Sequence, residues 1–329
     1  MPADPLSFPQ ELPPTYQPLA DEPRFDPARH LALEHPQQIW RLAELGYTPA
    51  QIGACASEVA VAGPFRLLSA AGVAAARSVA LSLRAHSLSG DRTASYLAGG
   101  VYRSRFLRDL CNCTQLTAFL SRVAGCELLA HSMPSQQVYI NYAPEDATRA
   151  VDTWHVDSIG FDYVLLLTDP RSFSGGDFQF FRGTLEEAAR LLGTGVDGLT
   201  EATSKDLPPE RVVTARFPAA GYALLQQGNL IVHRATALTR AAERITLVPG
   251  LVARDLRAPD PTNDGVIDWG EPGIVAEYAR HKAWLARAKL DELIARFRPG
   301  APAAELRAGL EQAVADVLHA IAKIGDRTD

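Results

Sequence analysis

Residues 153–169 read TWHVDSIGFDYVLLLTD. The second half is as apolar as any run in the chain, yet an imidazole and a carboxylate stand two residues apart at its mouth. In extended backbone, successive side chains point to opposite faces. His155 and Asp157 are therefore expected to share one face, with Val156 on the other. Burying either polar group without a partner costs several kcal/mol or shifts its pKa. Something is expected to occupy the space that both of them face.

Around this stretch the chain is built of short apolar or alternating runs. QVYINYAP (137–144), FDYVLLLTD (161–169), GDFQFFRG (176–183), RVVTARF (211–217), YALLQQ (222–227), LIVH (230–233) and RITLVPGLV (244–252) are separated by Gly, Pro, Asn and Asp. That is strand chemistry at the spacing of a sandwich or barrel. TLEEAARLLGTG (184–195) interrupts it as a short helix. Upstream, HPQQIWRLAELGY (35–47), PFRLLSAAGVAAARSVALSLRAH (64–86) and SRFLRDLCNCTQLTAFLSRVAG (104–125) read as helices, with Gly46 and Gly125 as stops. Downstream, residues 275–297 and 303–324 read as two helices joined across Arg298-Pro-Gly-Ala-Pro. The expected organisation is a flexible proline-rich arm (1–28), a single domain (29–258) with helices over 29–126 and a β core over 127–258, and a C-terminal helical hairpin (259–329) packed on it. No internal repeat is visible.

Composition narrows the function classes. The chain has 329 residues, 47% hydrophobic and 21% charged, with a net charge of −6. That balance lacks the basic footprint of a nucleic-acid or anionic-membrane partner. No run is long and apolar enough to span a bilayer, and the start lacks the basic flank and apolar core of a signal peptide. Cys55, Cys111, Cys113 and Cys126 make no disulfide framework in a chain of this size, so reduced thiols in a cytoplasmic protein are expected.

One further histidine, His233, closes the run LIVH. Two histidines and a carboxylate, the first pair spaced His-x-Asp, form the facial set of non-haem Fe(II) oxygenases, which leaves three metal positions open. Arg244 and Thr246 follow at the start of the next run, on one face. A guanidinium fork beside a hydroxyl suits a carboxylate, such as the far end of 2-oxoglutarate. Arg234 and Arg240 are rivals for that role.

HVD (155–157), GGDFQFF (175–181), GNLIVHRATALTRAAERITL (228–247) and QVYINYAP resemble the Fe(II)/2-oxoglutarate-dependent dioxygenase superfamily. The resemblance spans about 135–252. It implies an α+β fold with a double-stranded β-helix (jelly-roll) core and helices on one side. It implies His155, Asp157 and His233 as iron ligands, Arg244 with Thr246 as the 2-oxoglutarate clamp, and Tyr142 as a wall of the co-substrate pocket. The implied chemistry couples decarboxylation of 2-oxoglutarate by O2 to oxidation of a C–H bond: hydroxylation, with desaturation or cyclisation as variants. Halogenating relatives carry a small residue at the position of Asp157, so halogenation is not expected.

Three further residues are candidates for touching substrate: Arg103, Arg105 and Gln226. For each, a solvated helix start or strand end is the plainer alternative. The expected substrate is a small molecule, such as an amino acid or a biosynthetic intermediate of secondary metabolism. The C-terminal helices, through Trp284, Leu285, Leu290, Leu293 and Phe297, are expected to serve as core or as a homodimer contact. A cupin-like metalloenzyme without 2-oxoglutarate, or a non-catalytic ligand-binding jelly roll, would share the β core.

Overall fold

Strands account for most of the apolar runs between residues 137 and 253, and their pairing defines the fold. The computed structural model describes residues 5–255, 260–265, 267–296 and 298–325. In chain order the strands are β1 (Ile39–Arg41), β2 (Val59–Arg66), β3 (Tyr96–Leu97), β4 (Leu128–Ala130), β5 (Tyr139–Tyr142), β6 (Ala150–His155), β7 (Phe161–Leu166), β8 (Phe178–Phe181), β9 (Val212–Ala215), β10 (Tyr222–Gln226), β11 (His233–Ala237), β12 (Ile245–Val248) and β13 (Gly250–Ala253). The helices are α1 (Pro27–His30), α2 (Pro49–Gly53), α3 (Ala70–Leu83), α4 (Gly100–Arg103), α5 (Arg105–Cys111), α6 (Thr114–Ala124), α7 (Leu185–Leu192), α8 (Ile274–Ala295) and α9 (Ala303–Gly325).

From β5 to β12 the chain divides into two antiparallel sheets, ordered β5-β12-β7-β10 and β6-β11-β8-β9. Counted along the chain, the first sheet holds the first, eighth, third and sixth strands, and the second holds the second, seventh, fourth and fifth. This is the order of a double-stranded β-helix. β2 and β1 extend the larger sheet beyond β10, and β3 extends it beyond β5.

Between the sheets, Val164 and Leu224 meet Phe178, Phe180 and Ala215. The outer face of the larger sheet carries Ile140, Leu165 and Leu247 against Val79, Leu107, Phe119 and Leu120 of the helices. β7 is buried at every position. A strand covered on both faces loses its polar alternation, which is why YVLLL reads as a continuous apolar run. On the smaller sheet, α7 covers Trp154, Phe181 and Val232.

Several expectations upstream of the core are corrected. The helix expected over 35–47 is β1 followed by a 3-10 turn, Leu42–Leu45, closed by Gly46 at φ +94. The apolar spacing there serves a sheet edge, because β1 pairs with β2. The stretch 64–86 starts inside β2 and becomes helical only after the Ser69 cap. The stretch 104–125 is two helices broken at Asn112–Cys113. β6 forms in addition to the expected runs, and His233 begins its strand rather than ending one.

The proline-rich arm is docked along its described part. Phe8 and Tyr16 pack on Tyr102. The Glu22 carboxylate accepts from Ser104 Oγ and from the N–H groups of Arg105 and Phe106, capping α5. A few aromatic anchors within a proline-rich composition hold the segment in place.

The hairpin α8–α9 is fastened by buried charge. Lys282 Nζ lies 2.6 Å from Asp260 Oδ2, and His281 Nε2 lies 3.0 Å from the same oxygen. Burial alone would raise the Asp260 pKa. The hydrogen bond and charge of His281, then Lys282, outweigh burial and hold it well below the usual carboxylate range. A depressed folded-state pKa stabilises above the ordinary carboxylate pKa and is lost as pH falls through the folded value. Asp260→Asn is expected to destabilise the protein by roughly 3 kcal/mol at neutral pH, as breaking a buried pair does. In urea titrations the gap to the unsubstituted chain should begin to narrow below about pH 4 and go on narrowing as the pH falls further.

Trp284 and Leu285 pack beneath the hairpin against Val252. Leu290 sits at the margin of exposure, Leu310, Leu318 and Ile321 of α9 are exposed, and Phe297 lies outside the described residues. No helix among the described residues is long and apolar enough to cross a membrane. All four cysteines are free.

Candidate metal centre and its cavity

Antiparallel pairing of β6 with β11 sets His155, the last residue of one strand, opposite His233, the first of the other. Their rings are 4.2 Å apart. Asp157 lies just beyond β6, where its N–H donates to the Gly228 carbonyl at 2.9 Å. Strand register and a loop anchor, rather than alternation along one strand, bring the three side chains together. One donor atom from each lies within 4.8 Å of the others.

Protonation sharpens the reading. His155 Nδ1 lies 2.7 Å from the Thr153 carbonyl and His233 Nδ1 lies 2.8 Å from the Ile231 carbonyl. A carbonyl only accepts, so each Nδ1 carries the hydrogen. In the neutral imidazoles the Nε2 lone pairs then point at Asp157, at 3.5 Å for His155 and 3.3 Å for His233. Burial, then His155, push the His233 pKa down to about 4, so it is neutral at pH 7. Burial would raise Asp157, but His233 and His155 outweigh it and hold it well below the usual range. Three electron-pair donors thus converge on one point. Ligands about 2.1 Å from one ion lie about 3.0 Å apart at right angles and about 3.4 Å apart at tetrahedral angles, so the set is of a size to hold one small divalent cation.

Gln226 stands behind this group. Its Nε2 is 3.2 Å from Asp157 Oδ2 and 3.0 Å from Asp162 Oδ1. Burial, then the Asp157 charge, raise Asp162 well above the carboxylate range, so Asp162 is the protonated member of the pair. The sequence placed Gln226 toward substrate; it supports the Asp157 carboxylate instead.

A cavity of about 280 Å³ runs from this cluster into the barrel. At its inner end stand Arg244, Thr246 and Asn141, with Val164, Phe178 and Val248 as apolar walls. Phe178 stacks on His233 at 5.4 Å. Arg244 is 2% exposed, and its Nη1 has no hydrogen-bond partner. Burial pushes its pKa down to about 10, against the pull of Asp177 and Asp152, so it remains charged at neutral pH. Its Nε donates to the Gly176 carbonyl at 2.8 Å.

Arg234, with Thr236 two residues on, repeats the Arg-x-Thr spacing. Its guanidinium, however, pairs with Asp206 at 3.0 Å and lies over Trp154.

The double glycine is more than a hairpin turn. Gly176 has φ +65, and a Cβ there would lie 2.7 Å from Arg244 Cδ. Gly176→Ala is expected to displace the guanidinium and to strain the turn by about 1–3 kcal/mol. The checks are a lower Tm and a roughly tenfold weaker binding of a carboxylate ligand at Arg244, from losing about 1.4 kcal/mol of binding.

Tyr142 does not line the cavity. On β5, Tyr139 and Asn141 face inward while Tyr142 points to the helices and donates to the Ala80 carbonyl at 2.7 Å. The resemblance carried the tyrosine over one residue out of phase. Arg103 and Arg105 are also outside. The Arg103 guanidinium lies 4.7 Å over the Tyr16 ring, and the Arg105 N–H meets Glu22, both on the side of the arm. Sequence reading missed Arg92, Tyr96, Asp152, Asp268 and Glu271, which line the outer cavity. All but Asp152 come from loops or short elements with no motif.

No family model matches the chain, and no curated protein matches it. Solved structures do. The non-heme alpha ketoglutarate dependent epimerase SnoN from nogalamycin biosynthesis is 19% identical, with 64% of this chain and 84% of that one covered, at a TM-score of 0.43. The carbocyclase SnoK from the same biosynthesis is 16% identical over 63% and 84%, at 0.44. EctD from S. alaskensis, solved with 2-oxoglutarate and 5-hydroxyectoine, is 19% identical over 74% and 87%, at 0.40.

Proposed function

We propose that the chain is an Fe(II)- and 2-oxoglutarate-dependent oxygenase acting on a small molecule. The supporting observation is a buried guanidinium, with no ion-pair partner within salt-bridge distance among the described residues, in the same cavity as three converging metal donors. An uncompensated buried charge is costly, and an anionic ligand reaching from the cluster to Arg244 would satisfy both ends. His155, Asp157 and His233 would hold the iron, and Arg244 with Thr246 would grip the distal carboxylate of 2-oxoglutarate.

With O2, that pair supplies oxidative decarboxylation to succinate and CO2, and the power to oxidise a C–H bond. The residues of the chain orient and shield. Thr153 and Ile231 fix the imidazoles. Gln226 holds Asp157, and the apolar walls keep bulk water from the inner end.

Hydroxylation is the expected outcome, with desaturation or cyclisation as variants, on an amino acid or biosynthetic intermediate. The free thiols suit a cytoplasmic protein. The apolar residues exposed on α9 suit a homodimer through the C-terminal helices. Anaerobic titration with Fe(II) and then 2-oxoglutarate tests the reading. A weak visible charge-transfer band should grow to one equivalent of each, and a flat spectrum overturns it.

A further inference from the structure

We propose that the molecule oxidised here carries a protonated amine, held at the outer cavity between the Tyr96–Tyr139 pair and the carboxylates of Glu271 and Asp268; this rests on the oxygenase reading. The inner cavity is accounted for by the metal donors and Arg244. The outer cavity is the space left for substrate, and its chemistry is lopsided. Asp91, Asp152, Asp268 and Glu271 line it, and Arg92, the guanidinium among them, is engaged with Asp152 and the Val156 carbonyl.

Asp152 is 5% exposed and is served from within: one oxygen accepts from Thr93 at 2.9 Å, and the other lies 3.4 Å from His155 Nδ1 and 3.7 Å from Arg92 Nε. Glu271 is half-buried, and no side-chain hydrogen bond or ion pair reaches it among the described residues. Its neighbour Glu277 differs in being satisfied by Tyr102 and Ser135. Burial, then the Glu277 charge, raise the Glu271 pKa.

The aromatic pair fits the same ligand. The Tyr96 and Tyr139 rings are 6.4 Å apart and tilted by 32°. Tyr139 Oη accepts from Gln136 at 3.3 Å. Burial raises both phenol pKa values, and the nearby Asp268 charge adds to the rise in each. An ammonium is a compact donor of three hydrogen bonds. It gains from tyrosine faces as well as from carboxylates. A neutral or acidic group would leave Glu271 unpaired, or repel it.

The test uses the full chain, loaded anaerobically with Fe(II) and 2-oxoglutarate. Lysine, ornithine, putrescine, spermidine and glucosamine are each titrated beside their N-acetylated counterparts, followed by calorimetry and then by succinate release on adding O2. At least one amine should bind tenfold or more tightly than its acetylated form and lift succinate release. Glu271→Gln and Asp268→Asn should each weaken that amine severalfold. If 2-oxoglutarate binds but no amine outdoes its acetylated partner, or both variants bind the amine as well as the unsubstituted chain, the amine proposal falls and the oxygenase reading stands. If 2-oxoglutarate itself does not bind, both fall.

Discussion

Replacing Arg244 by leucine is expected to weaken 2-oxoglutarate binding by a hundredfold or more, while leaving the ligand-free protein at least as stable. The two effects have opposite signs for one reason. Without a ligand, the guanidinium is buried and charged, with Nε donating to Gly176 and Nη1 without a partner among the described residues. Replacing such a charge by an apolar side chain of similar volume is often neutral or stabilising. With the ligand present, the same group makes a charge-assisted fork to a carboxylate. Truncating one partner of a buried hydrogen-bonded charge pair costs about 2–5 kcal/mol.

Thermal denaturation with and without 2-oxoglutarate reads both at once. At about a hundred times its Kd the ligand should stabilise the unsubstituted chain by about 2.7 kcal/mol and the variant by about 0.4 kcal/mol or less. Arg244→Lys keeps the charge but loses the planar fork, and should fall between them. Should the leucine variant keep its response to 2-oxoglutarate, the rival jelly roll that uses no such co-substrate gains.

What could be read from the sequence follows from where each element is buried. β7, β8, β10 and β12 were legible because they lie between covered faces, and their apolar runs are bounded by turn residues. β1 and β2 were not. VAVAGPFR joins small residues to a helix-like continuation, and its strand character is imposed by pairing with β10. The candidate ligands were found by residue type, yet the reason given for His155 and Asp157 was wrong in detail. Asp157 sits beyond the strand, held by Gly228, and only register with β11 makes His233 their neighbour. Tyr142 failed on period two, since a shift of one residue reverses a side chain. The outer cavity was silent because loop residues such as Tyr96 and Glu271 carry no periodicity, and their meeting depends on how α8 docks.

His233→Ala is expected to abolish metal binding and reduce turnover to background. The bland alternative for these side chains is a hydrogen-bonded polar group at the rim of a barrel. It satisfies Nδ1 of each histidine and leaves the convergence of two Nε2 lone pairs and a carboxylate without a cause. Gln226 has two hydrogens for three acceptors within reach, Asp162 Oδ1, Asp157 Oδ2 and His233 Nε2, and none reaches His155 Nε2, so the amide cannot satisfy the cluster. A divalent cation can.

Because His233 is pushed down to about 4, it has no proton to displace at neutral pH. Metal affinity should therefore hold from pH 8 toward 6, as far as His233 is concerned, and fall only under more acidic conditions. Iron content after anaerobic loading and desalting is the direct measure: near one equivalent in the unsubstituted chain, under a tenth in the variant. Loss of one of three ligands is expected to cost at least the 10- to 100-fold in affinity seen when a mere supporting partner is removed. Cobalt(II) supplies the control for folding. It should raise the Tm of the unsubstituted protein and leave the Tm of a folded His233→Ala protein where it was. Equal shifts in the two would mean that the ion sits elsewhere, and the facial set would then be no more than a polar cluster.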